Sequence, residues 1–427
     1  MTAAPAGRYP HLDGLRGVAA LAVVLCHFVL AFQPALLSGK PEQGAAAAAT
    51  GLARTPLVLF WSPDCAVTVF FVLSGFVLQA SAAGAQRPGQ GWDRPVVRWA
   101  GQVLRRWVRL AGPILGSSLV IWAVVAAGGL RNAPAAAANG STWLAMHFGW
   151  LAWQANSLPQ LVEQSTFGIF ATGTHWWNAA LWTMPVEFWG SVGVFTAHAA
   201  LRRAPGWLRA GALAAVMAGL LSGLAGTGAA HGAGFAFGAL LWEARRWLQA
   251  PGRLAWLGGA AAFAGGVVLG GMPYDLLGTP YWPGFVLASG WLAEPVLAAH
   301  RTGAGLLVAA ALAWPPLRWA LTRAPVLALG RVSFMVYLLH IILLCSLASW
   351  IVLRLTPAWG YDASTAAALG ATLAVLFPLA AAMTWAADRP AITLSRWAER
   401  AVLTLRRPLV TPSAGEGRGE GASRRQA

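Results

Sequence analysis

Residues 12–32 read LDGLRGVAALAVVLCHFVLAF, and the fold follows from that stretch. From Val18 to Phe32 it holds no Asp, Glu, Lys or Arg. With the residues ahead of it, the run is long enough to cross a hydrocarbon core of roughly 30 Å, which takes about 20 helical residues. Arg8, His11, Asp13 and Arg16 precede the apolar part and no small-residue cleavage site comes before Pro34. The segment therefore reads as an uncleaved first membrane span.

The rest of the chain has the same character. Of its 427 residues 57% are hydrophobic and 10% charged, and the mean hydropathy is +0.58. A soluble chain carries about 25% charged residues, so this one has too few to cover a surface in water, and the class is an all-α integral membrane protein. The net charge of +16 comes from 30 Lys+Arg against 14 Asp+Glu, all arginine except Lys40. These arginines fall between apolar runs rather than along one polar face, the pattern of cytoplasmic membrane flanks, which argues against a nucleic-acid partner. Cys26, Cys65 and Cys345 lie in or beside apolar segments without CxxC spacing, so neither a disulfide framework nor a metal site is expected.

Further apolar windows lie near 60–80, 104–127, 178–200, 208–226, 230–248, 254–272, 303–321, 327–352 and 364–386. Two others are ambiguous: Trp143–Trp153 is short and Trp-rich, and Phe285–Ala299 is interrupted by Glu294-Pro295. Arginine belongs on the cytoplasmic side of short loops. With the N-terminus inside, Arg87 to Arg106, Arg202 to Arg209 and Arg245 to Arg253 all fall inside. Placing Arg318, Arg323, Arg389, Arg396 and Arg400 there too allows only one crossing between 283 and 321. Ten spans satisfy every cluster, with both termini cytoplasmic. The expected layout is a membrane domain over 1–392 and a basic tail over 393–427, disordered beyond about Pro408. Neither an internal repeat nor a large soluble domain is visible.

Ionisable side chains inside a membrane are costly and mark functional candidates. Three stand out: His27, Glu187 and His340. At about 1.5 Å per residue, His27 lies roughly 22 Å along its helix from Leu12 and His340 roughly 20 Å from Leu327. Glu187 lies about 14 Å from Asn178, leaving it roughly 16 Å above the inner boundary. Each alone is explained equally well as a buried polar group satisfied by a neighbour. Two imidazoles and a carboxylate at one depth suit proton transfer better. Arg16 and His27 are eleven residues apart, so one helix face carries both, about 16 Å apart. Arg105, Arg106 and Arg109 open the third span, where Arg105 and Arg109 at i,i+4 make a natural phosphate clamp or, alternatively, an anionic-lipid contact. Ser333 and Tyr337 project near the side of His340, to orient it, to line a polar channel or to make ordinary interhelical bonds. His175, beside Trp176 and Trp177, reads as a headgroup-level anchor, with acceptor binding the alternative; Trp176, Trp177 and Trp182 offer faces for stacking on a glycan. His11, His147, His198, His231 and His300 fall near predicted ends or loops and receive no role.

Taken together, several blocks resemble the membrane-bound acyltransferase family 3, whose members O-acylate glycans, lipids and antibiotics. They are Leu12-Asp13-Gly14-Leu15-Arg16-Gly17 followed by His27, Phe70-Phe71-Val72-Leu73-Ser74-Gly75-Phe76, Arg105-Arg106-Trp107-Val108-Arg109-Leu110, Leu181 to Phe188, Leu329-Gly330-Arg331-Val332-Ser333-Phe334 and Tyr337-Leu338-Leu339-His340. Asp388-Arg389-Pro390 is similar to the family's closing Glu-Arg-Pro, with Asp for Glu. The resemblance spans about residues 9–392 and implies a bundle of about ten transmembrane helices of the stand-alone type, without an appended esterase-like domain. It also implies acyl transfer from cytoplasmic acyl-CoA, with acetyl-CoA the expected donor, to a hydroxyl of a glycan, a lipid-linked or another acceptor. On that reading Arg16 with Arg105, Arg106 or Arg109 holds the donor phosphates and His27 is the general base. Glu187 and His340 orient it, relay its proton or contact the acceptor, while Ser333, Tyr337, Trp182 and His175 meet substrate. The competing class is a proton-coupled transporter or flippase using the same His, Glu and Arg residues. Arg-rich, Lys-poor composition with long Ala runs suggests a bacterial inner membrane.

Overall fold

The computed structural model describes residues 9–38, 51–84, 95–148, 157–175, 177–222, 227–274 and 294–404. Among them there is no strand, as expected where every backbone group must be satisfied within its own segment. Among the described residues ten long helices form the body: α1 (Pro10–Phe32), α2 (Pro63–Gly84), α3 (Pro95–Ala126), α6 (Thr183–Leu201), α7 (Gly206–Leu221), α8 (Gly232–Leu248), α9 (Arg253–Gly270), α10 (Pro295–Ala313), α11 (Ala324–Trp359) and α12 (Tyr361–Thr404). Several short ones lie between α3 and α6, among them α4 (Asn132–Asn139) and α5 (Thr142–Met146). Seven of the described helices, α1, α2, α3, α9, α10, α11 and α12, are long and apolar enough to cross a membrane, and α7 is a shorter apolar helix. The protein is an integral membrane protein. Large apolar side chains face outward on the peripheral helices, as Trp207, Val216 and Leu254 do, where lipid tails replace water as the solvent.

The helix described between 283 and 321 differs from either window. This helix, α10, starts at Glu294-Pro295 and ends at Trp314, where Pro315 opens a short separate helix. The Glu-Pro pair is therefore a helix start rather than an interruption, since a proline in the first turn loses no intrahelical bond. Residues 275–293 lie outside the described ones, as do 149–153 of the Trp-rich window, Trp176 and the tail from 405. At the far end, α12 continues through position 392 as a 44-residue helix to Thr404 and packs along α3.

Glycines set the approach that positions the site. A Cβ on Gly17 would stand 2.5 Å from the backbone N of Gly330 and 2.9 Å from the carbonyl carbon of Leu329. Only the absence of side chains lets α1 and α11 touch there, backbone to backbone. Ten residues on from each glycine, His27 and His340 meet. The two helices thus run side by side in the same direction, in register over about 15 Å.

A cationic cavity below a pair of imidazoles

Helices α1, α2, α3, α6, α11 and α12 enclose a cavity of about 380 Å³. Four arginines line it, Arg16, Arg106, Arg109 and Arg331, against three acids, Asp13, Glu187 and Asp388. Three of the arginines are held by those acids. Arg16 bonds Asp13 at 3.3 Å and Arg109 bonds Asp388 at 2.5 Å. Arg106 pairs with Glu187 and also donates from Nε to Ser191 Oγ at 2.8 Å. Ser74 Oγ lies 3.1 and 3.0 Å from the two oxygens of Glu187, which fixes the carboxylate from α2. Arg331 is exposed and makes no ion pair with another described residue. The lining therefore carries one positive charge in excess, on Arg331, beside three arginines whose acids hold them in place, an arrangement that favours an anion. Asp388 reaches it from a π turn over Thr384–Asp388, where α12 takes up one extra residue.

The cavity ends at Tyr337. Its hydroxyl lies 2.8 Å from Ala180 O and 2.9 Å from Thr183 Oγ1, which pins the ring across the bundle. One turn further along α11 sits His340, wholly buried. Its Nδ1 is 2.6 Å from Tyr337 O and its Nε2 is 2.8 Å from His27 Nδ1. A carbonyl oxygen only accepts, so His340 carries its proton on Nδ1 and, when neutral, offers a lone pair on Nε2. His27 must then donate from Nδ1. What remains is the lone pair on His27 Nε2, the tautomer a general base requires. The chain from Tyr337 O through two imidazoles fixes that assignment by elimination.

Above the pair, α4 and α5 form a cap keyed to the end of α1. The last carbonyls of a helix lack intrahelical partners. Here Leu30 O accepts from Ser141 Oγ at 3.2 Å, Ala31 O from Asn139 Nδ2 at 2.9 Å, and Phe32 O from Tyr361 OH at 2.8 Å. The cap brings the indole of Trp143 onto the His27 ring, with centroids 5.4 Å apart and planes 26° apart.

Several expected site residues stand elsewhere. Glu187 does not share the depth of the imidazoles. Counting down from His340 to Tyr337 and from Thr183, which Tyr337 touches, to Glu187 gives roughly 10 Å, toward the arginine end. Rises counted along differently tilted helices have no common zero, and the expectation of one level rested on them. Arg105 turns away from the cavity to Glu399 of α12 at 2.9 Å, so the i,i+3 pair Arg106 and Arg109 faces inward instead. Ser333 and Tyr337 line the cavity. His175 is exposed and bonded to Gly173 O at 2.9 Å, and Trp182 packs on His231 at 5.1 Å; neither reaches the cavity. His300, given no role, is buried inside α10, donating from Nε2 to Met272 O at 2.7 Å.

Trp143, His147, Ser74 and Asp388 were not singled out as site residues. Ser74 and Asp388 sat inside recognisable blocks, which was the available signal. Trp143 and His147 lie on and just after a five-residue helix, too short for any periodicity to register.

The family model for acyltransferase family 3, described as an acyltransferase domain, matches residues 9–384. No curated protein and no solved structure matches the chain. The matched span covers most of the chain, including every cavity-lining residue except Asp388 and Ile392, so the chain belongs to acyltransferase family 3 and is a membrane-bound acyltransferase.

Proposed function

We propose that the protein moves an acyl group, acetyl in the first instance, from cytoplasmic acyl-CoA to a hydroxyl of a glycan, lipid-linked or other acceptor on the far side of a bacterial inner membrane. The observation that carries this is the cationic cavity in line with a base whose lone pair is fixed. Arg16 and His27 are about 16 Å apart along α1. The pantetheine arm of coenzyme A is a peptide-like chain equivalent to between four and five residues, so it spans roughly 16 Å when extended. Phosphates held among Arg16, Arg106 and Arg109 therefore leave the thioester at the level of His27. Glu187 and Asp388 serve as positioning residues for the two α3 arginines, in place of the orienting role at the base first expected of Glu187. His340 takes that role.

In the reaction, His27 Nε2 removes the proton of the acceptor hydroxyl as its oxygen attacks the thioester carbon. The imidazolium that forms is stabilised through Nδ1–H to His340. Collapse of the tetrahedral adduct breaks the C–S bond, and the thiolate leaves with the proton that His27 accepted. Tyr337 stands between cavity and imidazole, so passage of the thioester requires its ring to swing from the Ala180 and Thr183 bonds. Arginine clusters at the ends of α6, α7, α8 and α12 support ten spans with both termini cytoplasmic. The reading is tested with purified protein in detergent, radiolabelled acetyl-CoA and, as acceptor, envelope glycans and lipids extracted from cells lacking the protein. Thioester loss matched by base-labile label in the extract supports it, and abolition of both by His27→Ala is expected. Uptake of unmodified substrate into reconstituted vesicles without thioester loss overturns it in favour of a carrier.

A further inference from the structure

Resting on the assignment of His27 as base, we propose that His147 is a positioning residue, acting through Trp143 to hold the His27 ring with Nε2 toward the acceptor. The bond to His340 and one to the Val23 backbone restrain the edge of that ring, and the broad terminal ring torsion of histidine still lets its plane rock about them. Contact with the Trp143 indole removes that freedom. Trp143 is in turn fixed by His147. The His147 ring lies 4.1 Å from the indole, centroid to centroid, and its Nδ1 is 2.6 Å from the Trp143 carbonyl oxygen. Since a carbonyl only accepts, His147 Nδ1–H is the donor.

The segment that carries both residues is anchored at each end. Asn132 Nδ2 donates to Leu144 O at 3.1 Å and to His147 O at 2.6 Å, closing α5 against the start of α4. Ser141 caps α5 through Leu144 N at 3.2 Å while its hydroxyl reaches Leu30 O, one turn beyond His27. A five-residue helix has no stability of its own. These side-chain bonds, and the burial of His147, are what make the Trp143 platform rigid.

Displacements near 1 Å at a reacting group cost up to about 100-fold in rate. His147→Ala is therefore expected to lower kcat roughly 10- to 100-fold, while KM for acetyl-CoA, set at the arginine end, stays within about twofold. His147→Asn places an amide N–H where Nδ1 stood and is expected to restore most of kcat. Trp143→Ala should match the loss of His147→Ala, with the double variant no worse than the Trp143 single one. Thermal unfolding of each purified full-length variant in detergent separates misfolding from mispositioning, and the Asn variant carries the test if the Ala variant does not fold. Wild-type kcat in His147→Ala, or a loss that Asn does not restore, overturns the proposal. If instead His27→Ala stays active, the base assignment fails first.

Discussion

Replacing His340 by Ala tests the proposal that this residue makes His27 a base. His340, itself wholly buried, accepts the Nδ1–H of the half-buried His27 at its Nε2, 2.8 Å away. During transfer that hydrogen bond becomes one from a charged imidazolium, and bonds to charged groups contribute about 1.5–3 kcal/mol. At about 1.4 kcal/mol per factor of ten, kcat is expected to fall roughly 10- to 160-fold. With His27 as the proposed general base, its loss is expected to lower the rate roughly 100- to 10,000-fold. Because His340 acts only through His27, the His27→Ala and His340→Ala double variant should be no slower than His27→Ala alone. His340→Gln, whose amide oxygen reaches near the former Nε2, should recover part of the loss, whereas His340→Asn should not. The assay is initial-rate thioester consumption by purified protein with the envelope extract as acceptor, with thermal unfolding alongside. Full activity in His340→Ala, or multiplicative losses in the double variant, would falsify the relay.

Other outcomes follow from the cavity and the helix contact. Arg106→Ala is expected to raise KM for acetyl-CoA at least tenfold, while Arg105→Ala, facing Glu399, leaves it within about twofold, as two charge-assisted bonds to phosphate differ from none; equal effects would contradict the inward placement of Arg106. Glu187→Ala leaves the half-buried Arg106 charge without its carboxylate and should destabilise by up to about 3–5 kcal/mol, with Arg106→Met and Glu187→Met together regaining most of it. Thermal unfolding in detergent reads this, and an unchanged midpoint in the single variant refutes it. Gly17→Val drives a side chain into the Gly330 backbone and should cost at least about 1–3 kcal/mol and activity together; a stable, active Gly17→Val protein means the α1–α11 contact is wrong.

The sequence was most informative where one helix carries its own geometry. Arg16 and His27 on α1, and Ser333, Tyr337 and His340 on α11, keep in the structure the spacing that helical periodicity assigns them. Which of Arg105, Arg106 and Arg109 turns inward was not readable, because successive residues point about 100° apart and the choice lies with Glu399 and Asp388 on a helix nearly three hundred residues away. The depth of Glu187 failed for a related reason: it depends on how α6 sits against α11, a tertiary quantity. Hydropathy misread the start of α10 because Glu294-Pro295 lowers the local average while being a favourable first turn. Trp143 and His147 were invisible because their segment is ordered by side-chain bonds to helix ends rather than by any apolar repeat.

The most direct test is a cryo-EM structure of the protein with the thioether analogue of acetyl-CoA, which cannot transfer its acyl group. The diphosphate is expected among Arg16, Arg106 and Arg109, with the arm passing a displaced Tyr337 and the acyl carbon within about 4 Å of His27 Nε2, close to attack range. An analogue bound with its phosphates at the cap, or with its acyl end stopped below Tyr337 and the ring unmoved, contradicts it.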